Sequence, residues 1–175
     1  VDFGLAYRLP LEEVGIAGDR SLSFAVNGSW LDSYKYKATP VSVNRECKGF
    51  YSVACGNPRP EWRWNVRATY EEGGFIGSLR WSHLSKVEVE PAPNGPSTVF
   101  EDYREIEAYD LFDLTLGWEV DEHLSFNVTV NNLFDKQPPV VGNSIGGTAF
   151  NSGNTFPTVY DVLGRTYVAG VSVTF

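Results

Sequence analysis

Methionine is absent from the 175 residues, cysteine and histidine occur twice each, and 14 basic residues face 22 acidic ones. Each shortage excludes something. A net charge of −8 and an isoelectric point near 4.7 argue against a nucleic-acid partner, which requires a basic face. No apolar run reaches the roughly 18 residues of a transmembrane helix, and no segment repeats with helical period. A mean hydropathy of −0.21 still permits membrane strands, because their alternation averages to a soluble-looking value. The chain opens at Val1 within an alternating stretch. This reads as the C-terminal portion of something longer, and the lack of a visible signal peptide then carries no information.

What is abundant is aromatic and turn-forming: 5 Trp, 9 Tyr, 11 Phe, 17 Gly and 10 Pro. That is a strand-and-turn composition. The last stretch, Gly164 to Phe175, alternates Tyr167, Ala169, Val171, Val173 and Phe175 with Thr166, Val168, Gly170, Ser172 and Thr174. Period two marks a strand whose faces meet different surroundings. An aromatic residue at its tip fits an anchor at the water–lipid boundary, and a half-buried strand of a soluble sandwich fits the alternation too.

The same alternation recurs along the chain. Residues 1–9 place Val1, Phe3, Leu5, Tyr7 and Leu9 on one face. A second strand is expected from about Arg20 to Tyr36, a third through Trp62, Trp64, Val66, Ala68 and Tyr70, and a fourth through Phe75, Leu79 and Trp81. Two more carry Phe112, Leu114, Leu116 and Trp118, then Leu124, Phe126, Val128 and Val130. About seven strands result. Short connections at 10–19, 71–74 and 120–123 alternate with long ones at 37–60, 89–105 and 135–163. An up-and-down meander with this asymmetry puts the short turns at one end and the long loops at the other, as in outer-membrane barrels. A Greek-key sandwich does not sort its loops this way.

The aromatics sort by height as well. Trp62, Trp64, Trp81, Phe112, Phe134 and Tyr167 are expected near the long loops. Tyr7, Phe24, Tyr70, Phe75, Trp118 and Phe175 are expected near the short turns, with aliphatic residues between. Two aromatic belts around an aliphatic band are what a bilayer selects. Arg8, Arg63, Arg67, Arg80, Asp113 and Glu119 fall on the opposite parity, suited to a wet lumen or to a solvated face.

Cys47 and Cys55 lie in a stretch without alternation. A disulfide closing a short surface loop is the favoured reading. A metal pair lacks further ligands nearby, and two free thiols are the remaining alternative. Gly142-Asn143-Ser144-Ile145-Gly146 matches a nucleophile-elbow pattern, but no helix signal follows it. The sequons at Asn27 and Asn127 fall inside strands. The pairs Glu12–Glu13 and Glu71–Glu72 read as solvated turn charges, and His83 and His123 as interfacial residues. No catalytic residue, metal site or cofactor is expected.

NNLFDKQPP at 131–139, NTFP at 154–157 and YDVLGRTYVAGVSVTF at 160–175 together resemble the C-terminal end of TonB-dependent outer-membrane receptors. CKGFYSVACGNPRPEW resembles a surface loop of that family more weakly. The resemblance implies that residues 1–175 are the last part of a barrel of about 22 strands, without its plug. It also implies an outer-membrane location and active uptake of a scarce small-molecule ligand such as a siderophore or glycan, with no enzymatic activity. The partners implied are outer-membrane lipid, the TonB complex through the missing N-terminal region, and the barrel-insertion machinery through the last strand. Tyr167, Val171, Val173 and Phe175 carry that last-strand signal. Phe50, Tyr51 and Trp62 are the loop candidates for ligand contact. A passive porin and a secreted carbohydrate-binding sandwich are the alternatives.

Overall fold

The computed structural model describes every residue except 93, 96–98, 143, 144 and 146–149. The elbow pattern at 142–146 falls largely outside the described residues. Seven strands form one antiparallel sheet, each hydrogen-bonded to its sequence neighbour in that sheet. They are β1 (Asp2–Pro10), β2 (Arg20–Trp30), β6 (Trp62–Glu72), β7 (Phe75–Leu84), β10 (Tyr109–Glu119), β11 (Leu124–Asn131) and β12 (Thr166–Val173). Five short strands sit in the long connections: β3 (Lys35–Tyr36) with β4 (Arg45–Glu46), and β5 (Phe50–Tyr51) with β8 (Val87–Val89) and β9 (Glu105–Ile106). The fold is the all-β meander expected from the alternation.

Beside the meander, β5 and β8 pair in parallel within the long connections. Two expectations are corrected. The second strand ends at Trp30 rather than Tyr36, and Tyr36 belongs to β3. Glu71 and Glu72 end β6 rather than sitting in a turn. They point to opposite faces, Glu71 pairing with Arg8 and Glu72 with Arg20.

The sheet's apolar face has no protein layer on it among the described residues. Leu5 is 70% exposed, Trp118 61% and Val171 63%. A sandwich would bury these side chains between two sheets, whereas a barrel wall turns them to lipid.

The register is staggered. One row of partners crosses the sheet through Tyr7, Phe24, Ala68, Leu79, Leu114, Val130 and Tyr167. In β1 the row lies three residues from the turn end, counting Tyr7 to Pro10; in β12 it lies six, counting Tyr167 to Val173. A row that climbs relative to the strand ends is the shear that tilts barrel strands. Tyr7 and Tyr167 therefore share a row and still belong to opposite belts.

Neighbouring rings join the belt at the long-loop end. Trp30 stacks on Trp62 at 5.9 Å, Trp64 meets Trp81 edge-on at 4.3 Å, Trp81 stacks on Phe112 at 5.9 Å, and Phe112 meets Phe134 at 5.3 Å. Trp30 shares the apolar parity of β2 and joins this belt, although it is not among the residues expected there. Gly28, between Phe3 and Trp64 in register, leaves room for the Phe3 ring. A Cβ there would run into that ring, so the glycine is a seat for the aromatic.

Candidate functional site

The buried core lies in the loops. Tyr51, Val87, Ile106, Tyr109, Val141, Ile145, Phe156 and Tyr160 form a single cluster. It draws on all three long connections, which together make a compact head on one end of the wall. Tyr51 and Phe156 meet edge-on at 5.7 Å, as do Tyr109 and Tyr160 at 5.2 Å.

Cys47 and Cys55 are bonded, with Cα atoms 5.6 Å apart. The loop that they close is tied to the next connection through Glu90. That carboxylate is almost fully buried and accepts from Arg45 Nη1 at 3.0 Å and Ser52 Oγ at 2.8 Å. Ser52 Oγ in turn accepts the Cys55 amide at 3.0 Å. A buried carboxylate persists only when paired and hydrogen-bonded in this way. β5 and β8 complete the tie: the Glu88 amide donates to the Gly49 carbonyl at 2.8 Å and the Glu90 amide to the Tyr51 carbonyl at 3.0 Å.

The three loop candidates occupy different settings. Tyr51 is 0% exposed, and its hydroxyl donates to the Tyr103 carbonyl at 2.6 Å. It offers no surface to a ligand, because the head uses it as core. Burial pushes the phenols of Tyr51 and Tyr160 well above the ordinary tyrosine value. Trp62 lies in the aromatic belt on the apolar face. Phe50 lines a cleft beside Lys48, Trp62, Ser85 and Lys86. The carboxylates of Glu105 and Glu88 hold the Lys86 ammonium above its ordinary pKa.

The string at 131–135 closes the wall under the head. Asn132 and Asp135 adopt φ of 51° and 54°, a conformation that asparagine and aspartate tolerate best among non-glycine residues. Asn132 Oδ1 accepts the Lys136 amide at 2.7 Å, and Asn132 Nδ2 donates to the Lys136 carbonyl at 2.9 Å. Asp113, on β10, accepts the Asn132 amide at 2.8 Å and Arg80 Nε at 2.9 Å. Asp135 Oδ1 accepts the Arg165 amide at 2.9 Å. Gly164 is required beside it, with φ of 70° and only 2.9 Å between a would-be Cβ and Asp135 Oδ1. The two distinctive strings thus meet in space and start β12. Tyr167, Val171 and Val173 are exposed along that edge strand, and Phe175 projects beyond it.

One cluster escaped the sequence. Asp110 Oδ1 accepts from Trp81 Nε1 at 2.7 Å and bonds His83 Nδ1 at 2.8 Å, while Trp64 stacks on the His83 ring at 4.7 Å. It roots the aromatic belt at the loop end. Only the register brings these residues together, Trp64 facing His83 and His83 facing Asp110. Among the described residues no group of acidic, histidine and cysteine side chains is arranged to hold a metal ion.

No curated protein matches the chain. Among solved structures, a mutant of the ferric enterobactin receptor PfeA from Pseudomonas aeruginosa superposes with a TM-score of 0.60 at 18% identity, covering 98% of this chain and 22% of that one. A second mutant of the same receptor, in complex with enterobactin, gives a TM-score of 0.59 at 18% identity over 97% of this chain and 22% of that one. Likeness at that identity establishes the fold, and the chain spans only 22% of the length of these receptors. The family model for the TonB dependent receptor-like beta-barrel matches residues 1–133. With three-quarters of its length matched, and a wall whose apolar face is uncovered, the chain belongs to the TonB-dependent receptor β-barrel family.

Proposed function

We propose that residues 1–175 are the C-terminal portion of the barrel domain of an outer-membrane receptor, and that the whole receptor takes up a scarce small-molecule ligand by TonB-coupled transport. The observation that carries this reading is the asymmetry of the wall: aromatic and aliphatic side chains uncovered on one face, Arg8, Arg67, Arg80, Asp113 and Glu71 on the other. Lipid on one side and a polar lumen on the other account for both faces. The likeness to a ferric enterobactin receptor favours a siderophore over a glycan. The loop head faces outside the cell, where its disulfide is kept oxidised. Phe50 and the exposed loop residues, rather than Tyr51, meet the ligand.

The test is growth of cells that carry the full receptor as their sole route for iron, with ferric enterobactin as the source. Growth that depends on both the receptor and TonB supports the proposal. Uptake that persists without TonB makes the protein a passive porin, and a full-length protein soluble in plain buffer refutes the membrane reading. The β12 edge and Phe175 are proposed as the signal for the insertion machinery. Deleting Phe175 lowers the amount of receptor in the outer membrane, whereas normal amounts with lost ligand binding contradict that role.

A further inference from the structure

Arg67 sits at the middle of β6 on the lumenal face, and the residue directly opposite it on β7 is another arginine, Arg80. Like charges in such a cross-strand pair repel. Arg80 is compensated, because Asp113 accepts from both its Nε at 2.9 Å and its Nη2 at 2.7 Å. Asp113 is then used up, its other oxygen taken by the Asn132 amide. Glu71, four residues further along β6 on the same face, accepts from Arg8 Nη2 and Ser21 Oγ, both at 2.9 Å. Among the described residues the exposed Arg67 side chain forms no ion pair, and its one hydrogen bond is a long contact of 3.4 Å from Nη1 to Ser78 Oγ.

On its other side Arg67 faces Ala25, and Ala25 faces Ala6. These small side chains leave a shallow recess lined by Ala6, Arg8, Ser23, Ala25, Arg67 and Thr69. Arg67 and Arg8 flank a floor of methyl groups and hydroxyls, the Arg8 guanidinium being already bonded to Glu71. Guanidinium forks match the planar geometry of a carboxylate, and a wall with low dielectric behind it strengthens that attraction.

We infer that this recess seats a carboxylate, which supplies the negative charge that Arg67 lacks. The carboxylate comes either from a part of the receptor outside these 175 residues or from an anionic solute in the lumen. The inference rests on the barrel reading proposed above, since only a closed barrel makes this face a lumen.

The test uses the full-length receptor in detergent, with compact, heat-modifiable migration on an unboiled gel as the independent check of the barrel. In the wild-type protein, phenylglyoxal modification of each arginine is followed by mass spectrometry, with exposed loop residue Arg104 as the reference. In parallel, an Arg67→Lys variant is treated with a carbodiimide, which joins an amine to a carboxylate in contact with it. If the receptor itself supplies the carboxylate, Arg67 reacts at least fivefold more slowly than Arg104, and position 67 cross-links to an Asp or Glu outside residues 1–175. If a solute supplies it, no such cross-link forms, and citrate, but not glucose, slows Arg67 modification at least fivefold relative to Arg104. Arg67 reacting like Arg104 with and without citrate, and no cross-link, overturns the inference. Because the labelling arm needs no substitution, it decides the matter even if the variant does not fold. A protein that never shows the compact form refutes the barrel reading instead.

Discussion

The wall and the head of this molecule are built on opposite rules. In the wall, apolar side chains are on the outside and the polar groups bond one another on the inner face, as Arg80 does with Asp113 and Thr115 with Thr129. In the head, aromatic rings fill the middle, and the disulfide and the Glu90 ion pair hold together loops that have little regular structure. In the proposed barrel, the wall is stabilised by its backbone ladder and by having lipid as its surrounding solvent. The head behaves like a small soluble domain and depends on burial and covalent closure. A substitution is therefore read out in a different place in each region, barrel compactness for the wall and loop protection for the head, which makes the contrast testable.

The largest effect is expected on the lipid side of the wall. Leu114 and Thr115 are adjacent, on opposite faces of β10. Leu114→Arg near the bilayer midplane costs about 2–4 kcal/mol and reduces the compact form on an unboiled gel, while Thr115→Arg does so much less. Val171→Arg against Ser172→Arg repeats the comparison in β12. Equal tolerance at both members of each pair breaks the assignment of faces.

Next comes the disulfide. Replacing Cys47 and Cys55 together by serine removes the closure of a loop whose ends are 8 residues apart, a loss below the roughly 3 kcal/mol of a 15-residue loop. Hydrogen exchange should speed up in residues 45–60 and around Glu90, while the barrel keeps its heat-modifiable migration. Exchange that rises equally in β10 and β11 means that the wall and the head are not separable.

A smaller effect is expected at Tyr51. Tyr51→Phe keeps the ring against Phe156 but leaves the Tyr103 carbonyl without its donor, a cost on the order of 1 kcal/mol. Faster proteolysis confined to the loops is the readout, and unchanged proteolysis shows that water replaces the hydroxyl.

The smallest is a pH effect in the head. Burial alone raises the pKa of Glu46, but the Tyr34 and Lys48 amides and the Ser33 hydroxyl outweigh it and hold the carboxyl below its ordinary value. Its stabilising contribution is therefore present above the ordinary glutamate pKa and is lost as the pH falls through the lowered one. Protection of the Tyr34 and Lys48 amides, corrected for the intrinsic pH dependence of amide exchange, should fall in acid in the wild type. In Glu46→Gln the corrected protection should not change over the same range.

The strands of the wall were legible in the sequence because alternation is a local property. Each of the seven needs only its own residues to show which face is apolar, and short turns such as Gly73-Gly74 mark where the chain reverses. β2 was read too long because Tyr34 and Tyr36 continue its parity, whereas in the structure Tyr34 takes the Arg59 guanidinium on its ring at 3.9 Å. Tyr51 was read as a ligand candidate because an aromatic residue in a loop looks the same whether it binds or packs. Its burial depends on Phe156, more than a hundred residues away.

By itself, then, the sequence determined the number of main strands, their two faces, the positions of the short and long connections, and the resemblance carried by NNLFD and GRTYV. These follow from covalent spacing, which repeats every second residue whatever the neighbours are. Only the tertiary structure decided the stagger that puts Tyr7 and Tyr167 in one row, the meeting of Asp135 with Arg165, the core inside the loops, and the pairing of Arg67 with Arg80. These depend on register, and register is set by which strands lie side by side, a choice that no single strand encodes.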